Sequence, residues 1–342
     1  MPPNMRILVT GHGVDATDSP LRFQAADPLR FLGHEVVAVA PTESAVRWGL
    51  DRHTPEMLVV IPSAGVLDRS TVRTLTAESG TVALCLHTGP SLIGSPTDLS
   101  GIGEDLREYD LVAVPDRHTF DEYAALGTFR LCLMEPAVHP PPVLEAVPLD
   151  RRGFMIVGDA DPENIDVVTE LDHLNDIVVM GRGWTDLPLN VSVVEPLPLP
   201  DRGTFYAGAS LVVELPPPLA HQSAVARSAF ELGLSPVVYE AAIVGTPAVV
   251  QDRPAVAQAL CPGSEVITYE SLSDLSQLLP MLLADDPELA TIGEAAWSRV
   301  TAEHTWSRRW RSLLEPWVIE PEIGRDEEVR YLVQSDVLTR TA

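Results

Sequence analysis

Leu234-Ser-Pro-Val-Val-Tyr-Glu-Ala-Ala-Ile-Val-Gly-Thr-Pro-Ala-Val-Val-Gln251 reads as a short buried helix followed at once by a buried strand. Ser235 can cap the helix with its hydroxyl, and Pro236 suits the first helical position, where no backbone N–H is needed. Gly245 can take the left-handed conformation that ends a helix, and Pro247 prevents continuation. Between these stops nearly every residue is apolar, from Val237 and Val238 to Ile243 and Val244. One carboxylate, Glu240, sits among them, and no basic residue lies one turn away along the helix. A charge in such company needs a partner, because burying it alone costs several kcal/mol or neutralises it.

Two readings of Glu240 stay open at this point. An ionised carboxylate accepts two hydrogen bonds side by side, so a ligand with adjacent hydroxyls, such as a nucleotide ribose, could supply the partner. Alternatively, the side chain reaches water at the helix edge. An arginine already paired with Glu240 inside the protein would remove the reason to invoke a ligand.

The flanking sequence repeats a strand–helix alternation. Gly153-Phe-Met-Ile-Val-Gly158 reads as a strand, and Asp159-Ala-Asp161-Pro162 opens a helix, with Asp161 as its cap rather than as a metal ligand. Asp176-Ile-Val-Val-Met180 is the next strand, and beyond it Arg182, between Gly181 and Gly183, could approach a phosphate closely. Ser210-Leu-Val-Val-Glu-Leu215 runs into Pro216-Pro-Pro218. The following loop carries Arg227, a second candidate phosphate partner. Leu272–Leu283 and Pro287–Ala302 are amphipathic helices, and Trp297, Trp306 and Trp310 are expected to pack.

Glu240-Ala-Ala-Ile-Val-Gly245-Thr246-Pro247 resembles the donor-binding helix of group 1 glycosyltransferases, in particular their CgeB-like branch. Glu303-His-Thr-Trp306-Ser-Arg-Arg-Trp310 is similar to the C-terminal helix of that family. The resemblance implies the α/β GT-B fold, two Rossmann-like domains facing each other across a cleft. It also implies that Glu240 holds the ribose of a nucleotide-sugar donor. The backbone around Gly245 and Thr246, with Arg182 or Arg227, would meet the diphosphate, and Ser235 lies on the same donor side. No catalytic metal is implied, and the final helix would cross back to the first domain. Two features depart from the family pattern. Glu231 and Glu240 have eight residues between them, where relatives with a paired-acid motif have seven, and Val237 stands where CgeB-like relatives often have an arginine.

The first half shows the alternation too. Arg6-Ile-Leu-Val-Thr10 is a strand, and Gly11-His-Gly-Val-Asp-Ala16 formally matches a dinucleotide fingerprint. Asp15 and Asp18 would oppose a pyrophosphate there, and Ser19-Pro20 delays the helix that should bind it, so that reading is rejected. By resemblance, Gly11, His12 and Gly13 are acceptor-side residues. His34, in the turn Gly33-His-Glu-Val36, is read as structural. Met57–Pro62, Thr81–Leu86 and Tyr109–Pro115 are near-continuous apolar strands of a parallel sheet. His87 follows the second of these, where ligands of open α/β sheets bind, and with His12 is a candidate catalytic residue, a capping or structural role being the alternative. The domains are expected at 1–140 and 151–304, joined by a proline-rich linker at 141–150, with a crossing helix at 305–317 and an acidic tail at 318–342.

The composition bounds the function. At 342 residues and 45% apolar, the chain is long enough for two cored domains, and no apolar run reaches the ~18 residues that span a bilayer. Its net charge is −26, and all 23 basic residues are arginine, so nucleic acid and anionic lipid are disfavoured partners. Cys85, Cys132 and Cys261 have neither disulfide nor zinc spacing, and the expected location is the cytoplasm. The expected function is transfer of a sugar from a nucleotide-diphosphate donor (UDP, GDP or dTDP) to an acceptor, with no tightly bound cofactor. A non-catalytic GT-B-like partner protein and a nucleotide-sugar epimerase are the alternatives. Oligomeric state is left open.

Overall fold

The computed structural model describes residues 4–14, 19, 21–62, 69–87, 106–127, 130–139, 151, 153–171, 173–174, 176–185, 187–188, 190–217, 233–284 and 286–319. The chain divides into two compact units, Met1–Glu135 with Ser307–Ala342, and Pro136–Trp306.

The first unit holds a six-stranded parallel sheet: β1 (Arg6–Thr10), β2 (Glu35–Val39), β3 (Met57–Val60), β4 (Val82–Leu86), β5 (Leu111–Val114) and β6 (Leu131–Leu133). Their order is β2-β1-β3-β4-β5-β6. Central strands of a parallel sheet are covered on both faces and so need apolar residues throughout; β3 and β5 are buried along their whole length. Among the described residues the connecting helices are α1 (Asp27–Phe31, entered through a π-helical turn at Arg22–Ala26), α2 (Glu43–His53), α3 (Arg69–Ser79) and α4 (Arg117–Ala125). Thr42 caps α2 and Asp116 caps α4, each accepting from a backbone N–H three residues on. The chain reverses its direction across the sheet at β1, and the loop leaving β1 lies at that switch. Space there is short, because a Cβ on Gly11 would lie 3.0 Å from the Ile61 Cβ.

The second unit has its own six-stranded parallel sheet: β7 (Phe154–Val157), β8 (Ile177–Met180), β9 (Val191–Val194), β10 (Leu211–Glu214), β11 (Ala248–Gln251) and β12 (Ile267–Tyr269). The order β12-β11-β10-β7-β8-β9 puts its switch between β7 and β10. Its described helices are α5 (Pro162–Glu170), α6 (Leu199–Gly208), α7 (Pro236–Ala242), α8 (Pro254–Ala259), α9 (Leu272–Leu282) and α10 (Asp286–Glu303). Apolar clusters fill both faces of the sheet, one gathering Val212, Val238, Ala241, Val250 and Val300, the other Ile156, Val179, Leu211, Val213 and Leu275.

The last described element, α11 (Trp306–Ile319), belongs with the first unit from Ser307 onward. Its Trp310 is fully buried, and the indole N–H donates to the Gln24 carbonyl at 2.7 Å. Trp306 is buried as well. Trp297 corrects the packing expectation, since it is 48% exposed on α10. The strand Val191–Val194 and helix α6 have no counterpart in the sequence reading, and α6 proves central to the site.

Candidate functional site

In a parallel sheet each connecting helix runs against the strands, so its N-terminus lies beside the strands' carboxyl ends. Ligands of open α/β sheets bind there. In the second unit that edge is formed by the loops after β7, β8, β10 and β11 and by the first turns of α6 and α7.

Helix α7 has the predicted punctuation. Ser235 Oγ accepts from the Val237 N–H at 3.3 Å, Pro236 occupies the first position, and Gly245 has a φ of +72°. Glu240 is 7% exposed, so it does not simply reach water. Its partner comes from α6: Arg202 Nη1 donates to Oε1 at 3.3 Å and to Oε2 at 3.4 Å. The Tyr206 hydroxyl donates to Oε2 at 3.3 Å. The inference that Glu240 needs a ligand to supply its partner is therefore corrected, because a guanidinium 38 residues away in sequence already meets it. Burial pushes the Glu240 carboxyl above its ordinary range, with Arg202 first and Tyr206 after it pulling the other way. Burial also raises the Tyr206 phenol, so it stays a donor.

At the start of α7 lies a second acid–arginine pair that the sequence reading did not single out. Arg253 Nη2 donates to Glu214 Oε2 at 2.8 Å, and both side chains are almost wholly buried. Arg253 also donates to the carbonyls of Gln251 at 3.1 Å and Gly233 at 3.4 Å, and Tyr269 donates to the Glu214 carbonyl at 2.9 Å. These contacts tie the end of β10 to the residues entering α7. The signal was present: Glu214 ends an otherwise apolar strand, Leu211-Val-Val-Glu214, and a buried acid demands a cation.

Gly245 and Thr246 require a further correction. They follow α7 and precede β11, which puts them at the amino end of that strand, opposite the edge where a diphosphate would sit. Thr246 is fully buried and its hydroxyl donates to the Tyr206 carbonyl at 2.8 Å. The Gly245 carbonyl accepts from Arg151 Nη1 at 2.8 Å. Both residues terminate and anchor the helix.

Arg182 lies at the favourable edge. It is exposed just past β8, and its backbone N–H donates to Asp159 Oδ1 at 2.8 Å, joining the loops after β7 and β8. Asp161 caps α5, accepting from the Asn164 N–H at 2.7 Å. Each acid of the Asp-x-Asp sequence thus receives a backbone amide. The same loops approach closely: a Cβ on Gly181 would lie 1.9 Å from the Gly158 carbonyl oxygen. Arg227 and Glu231 lie outside the described residues.

In the first unit, Gly11, His12 and Gly13 occupy the loop after β1, with Gly13 at a φ of +72° and His12 exposed. His87 follows β4 but is only 5% exposed; its ring meets Tyr123 edge-on, with centroids 5.8 Å apart. The ring is packed inside the first unit, as in the structural role that the sequence left open. His34 is structural, as read, and its Nδ1 accepts from the Met5 N–H at 3.2 Å. Among the described residues no three His, Cys, Asp or Glu side chains are grouped to hold a metal.

Comparison with known proteins bears on these geometries. Residues 163–315 match a family model described as glycosyl transferase-like. No curated protein matches the sequence. Among solved structures, sucrose-phosphate synthase from Thermosynechococcus elongatus is similar with a TM-score of 0.63 at 11% identity, over 93% of this chain and 100% of that one. HepE from Anabaena, in complex with UDP and glucose, gives 0.59 at 12% identity over 92% and 99%. A glycosyltransferase from Rickettsia africae gives 0.63 at 10% identity over 94% and 100%. The resemblance to GT-B glycosyltransferases holds in sequence over residues 163–315, and in fold as two Rossmann-like domains.

Proposed function

We propose that this protein is a glycosyltransferase that moves a sugar from a nucleoside-diphosphate donor to an acceptor. The observation that carries the proposal is the family match at residues 163–315, which contains Glu240-Ala241 and Gly245-Thr246-Pro247 within a GT-B fold. The CgeB-like assignment rests on that motif alone. The structural relative holding UDP and glucose supports a nucleotide-sugar donor for this chain.

In this reading the donor lies at the carboxyl edge of the second sheet. Glu240 accepts from the ribose, and Arg182, with Arg227 beyond the described residues, meets the diphosphate. Arginine suits that role, because its planar fork matches a phosphate and it stays charged at every physiological pH. As the bond from the anomeric carbon to the diphosphate breaks, negative charge grows on the leaving group. Fixed cations and backbone amides stabilise that charge without a metal. The acceptor oxygen takes the anomeric carbon and gives up its proton. Gly11, His12 and Gly13 are the proposed acceptor-side residues, and exposed His12 is the better candidate for that proton.

A non-catalytic reading has one specific observation in its favour, that Glu240 is already paired with Arg202. Incubating the protein with a panel of UDP-, GDP- and dTDP-sugars, and measuring release of the free diphosphate, separates the two. Release that accelerates with an acceptor supports the transferase. Binding without release across the panel would leave a partner protein with a donor-like fold.

A further inference from the structure

Resting on the donor-site reading of the second unit, we propose that Arg202 is a positioning residue for the nucleotide. It holds the Glu240 carboxylate in a fixed orientation toward a ribose hydroxyl of a nucleoside diphosphate.

Arg202 is the fourth residue of α6, counting from Leu199, and Glu240 the fifth of α7, counting from Pro236. At about 1.5 Å of rise per residue, both lie within about 6 Å of helix starts that face the carboxyl edge of the sheet. Arg202 is thus in the first turn of its helix, while Glu240 lies past the middle of the seven-residue α7, with its Cα–Cβ bond tilted toward that helix's start.

Its geometry differs from that of the neighbouring pair. Arg253 and Glu214 meet at 2.8 Å with side chains 4% and 5% exposed, a closed contact. Arg202 reaches Glu240 only through Nη1, at 3.3 and 3.4 Å, and the two side chains are 29% and 9% exposed. Charge-assisted N–H···O contacts are usually about 2.7–2.9 Å. A carboxylate offers about four lone-pair sites, and Arg202 at both oxygens with Tyr206 at Oε2 takes three of them by long contacts, which leaves Oε1 able to accept from one ligand hydroxyl.

Desolvating two charges offsets most of their attraction, and apolar side chains of similar volume often do as well. The surroundings are apolar: Val212 and Val250 from the sheet and Ala296 and Val300 from α10 share the cluster that α7 packs into. The groups acting on Glu240 electrostatically are Arg202 and Tyr206, both from α6. Both are themselves fixed, Arg202 by donating from Nε to the Leu197 carbonyl at 2.8 Å, and Tyr206 through the Thr246 bond to its carbonyl.

The test is calorimetric titration of the full chain with UDP and GDP, each beside its 2′-deoxy counterpart. The variants are Arg202→Met and Arg202→Lys, with thermal melting as the check on folding. Wild type is expected to favour the ribonucleotide. Arg202→Met should lose about tenfold in ribonucleotide affinity, the size of one hydrogen bond to a charged group, and less than about twofold for the deoxy form. Arg202→Lys should recover part of the loss. If Arg202→Met does not fold, Tyr206→Phe removes one carboxylate contact and should show the same ribose-selective loss. Ribonucleotide preference in wild type with unchanged affinity in the variants overturns the proposal, as does equal loss on both sugars. Absence of any ribose preference in wild type, or of nucleotide binding, overturns the donor-site reading beneath it.

Discussion

At Glu240, burial favours the neutral acid and Arg202 favours the anion, and burial is the larger effect. Because the folded-state pKa lies above the ordinary 4.5, the folded chain holds this proton more firmly than the unfolded chain does. That contribution to stability is complete below 4.5 and is lost as pH rises through the raised value. Glu240→Gln removes the titration. The stability of wild type relative to Glu240→Gln, from denaturant unfolding, should therefore fall as pH rises from 4.5 toward neutrality. A difference that grew with pH would mean that Arg202 outweighs burial. The residue also shows how far sequence could reach. That Glu240 needed a partner was legible from its apolar neighbours, but the partner was not. Arg202 and Tyr206 lie 38 and 34 residues away on a helix masked by Pro196, Pro198, Pro200, Gly203 and Gly208. Those prolines precede or open the helix, where a missing N–H costs nothing.

Helix α7 is short, so its position is set by what grips its ends more than by its own propensity. Glu214, Arg253 and Ser235 hold the start; Arg151 and Thr246 hold the finish. Helix α10 presses on the finish through Gly293, where a Cβ would stand 2.3 Å from the Gly245 carbonyl oxygen. Gly293→Ala should therefore shift α10 or the turn and cost about 2 kcal/mol, within the range for overpacked cores. Gly208→Ala, where a Cβ meets nothing within 4 Å, serves as the control and should be neutral or mildly stabilising. Equal melting temperatures for the two variants would show that the turn yields freely. The ends of α7 and the strand after it were readable because Ser, Pro and Gly act locally. The family resemblance implied Gly245 and Thr246 at the diphosphate, and the structure sets them at the other end of the strand. Motif order cannot tell which edge of a sheet a residue occupies, whereas the parallel topology fixes it.

Across the whole molecule, two parallel sheets arise from the same short apolar strands, and each reverses its strand order once. The parallel strands put His12 in one unit, and Arg182 and the start of α7 in the other, at carboxyl edges suited to ligands. The charge is consistent with a protein that avoids polyanions, since 23 arginines face 49 acids. A small anion must therefore be gathered by local arginines against the general field. The central claim is that the second unit binds a nucleoside diphosphate through Glu240, and calorimetric titration of wild type and Glu240→Gln with UDP and GDP tests it most directly. The account predicts that wild type binds at least one of them and that Glu240→Gln, folded by its melting curve, binds it about tenfold or more weakly. Equal affinity in both proteins, or no binding of either nucleotide by wild type, would contradict it.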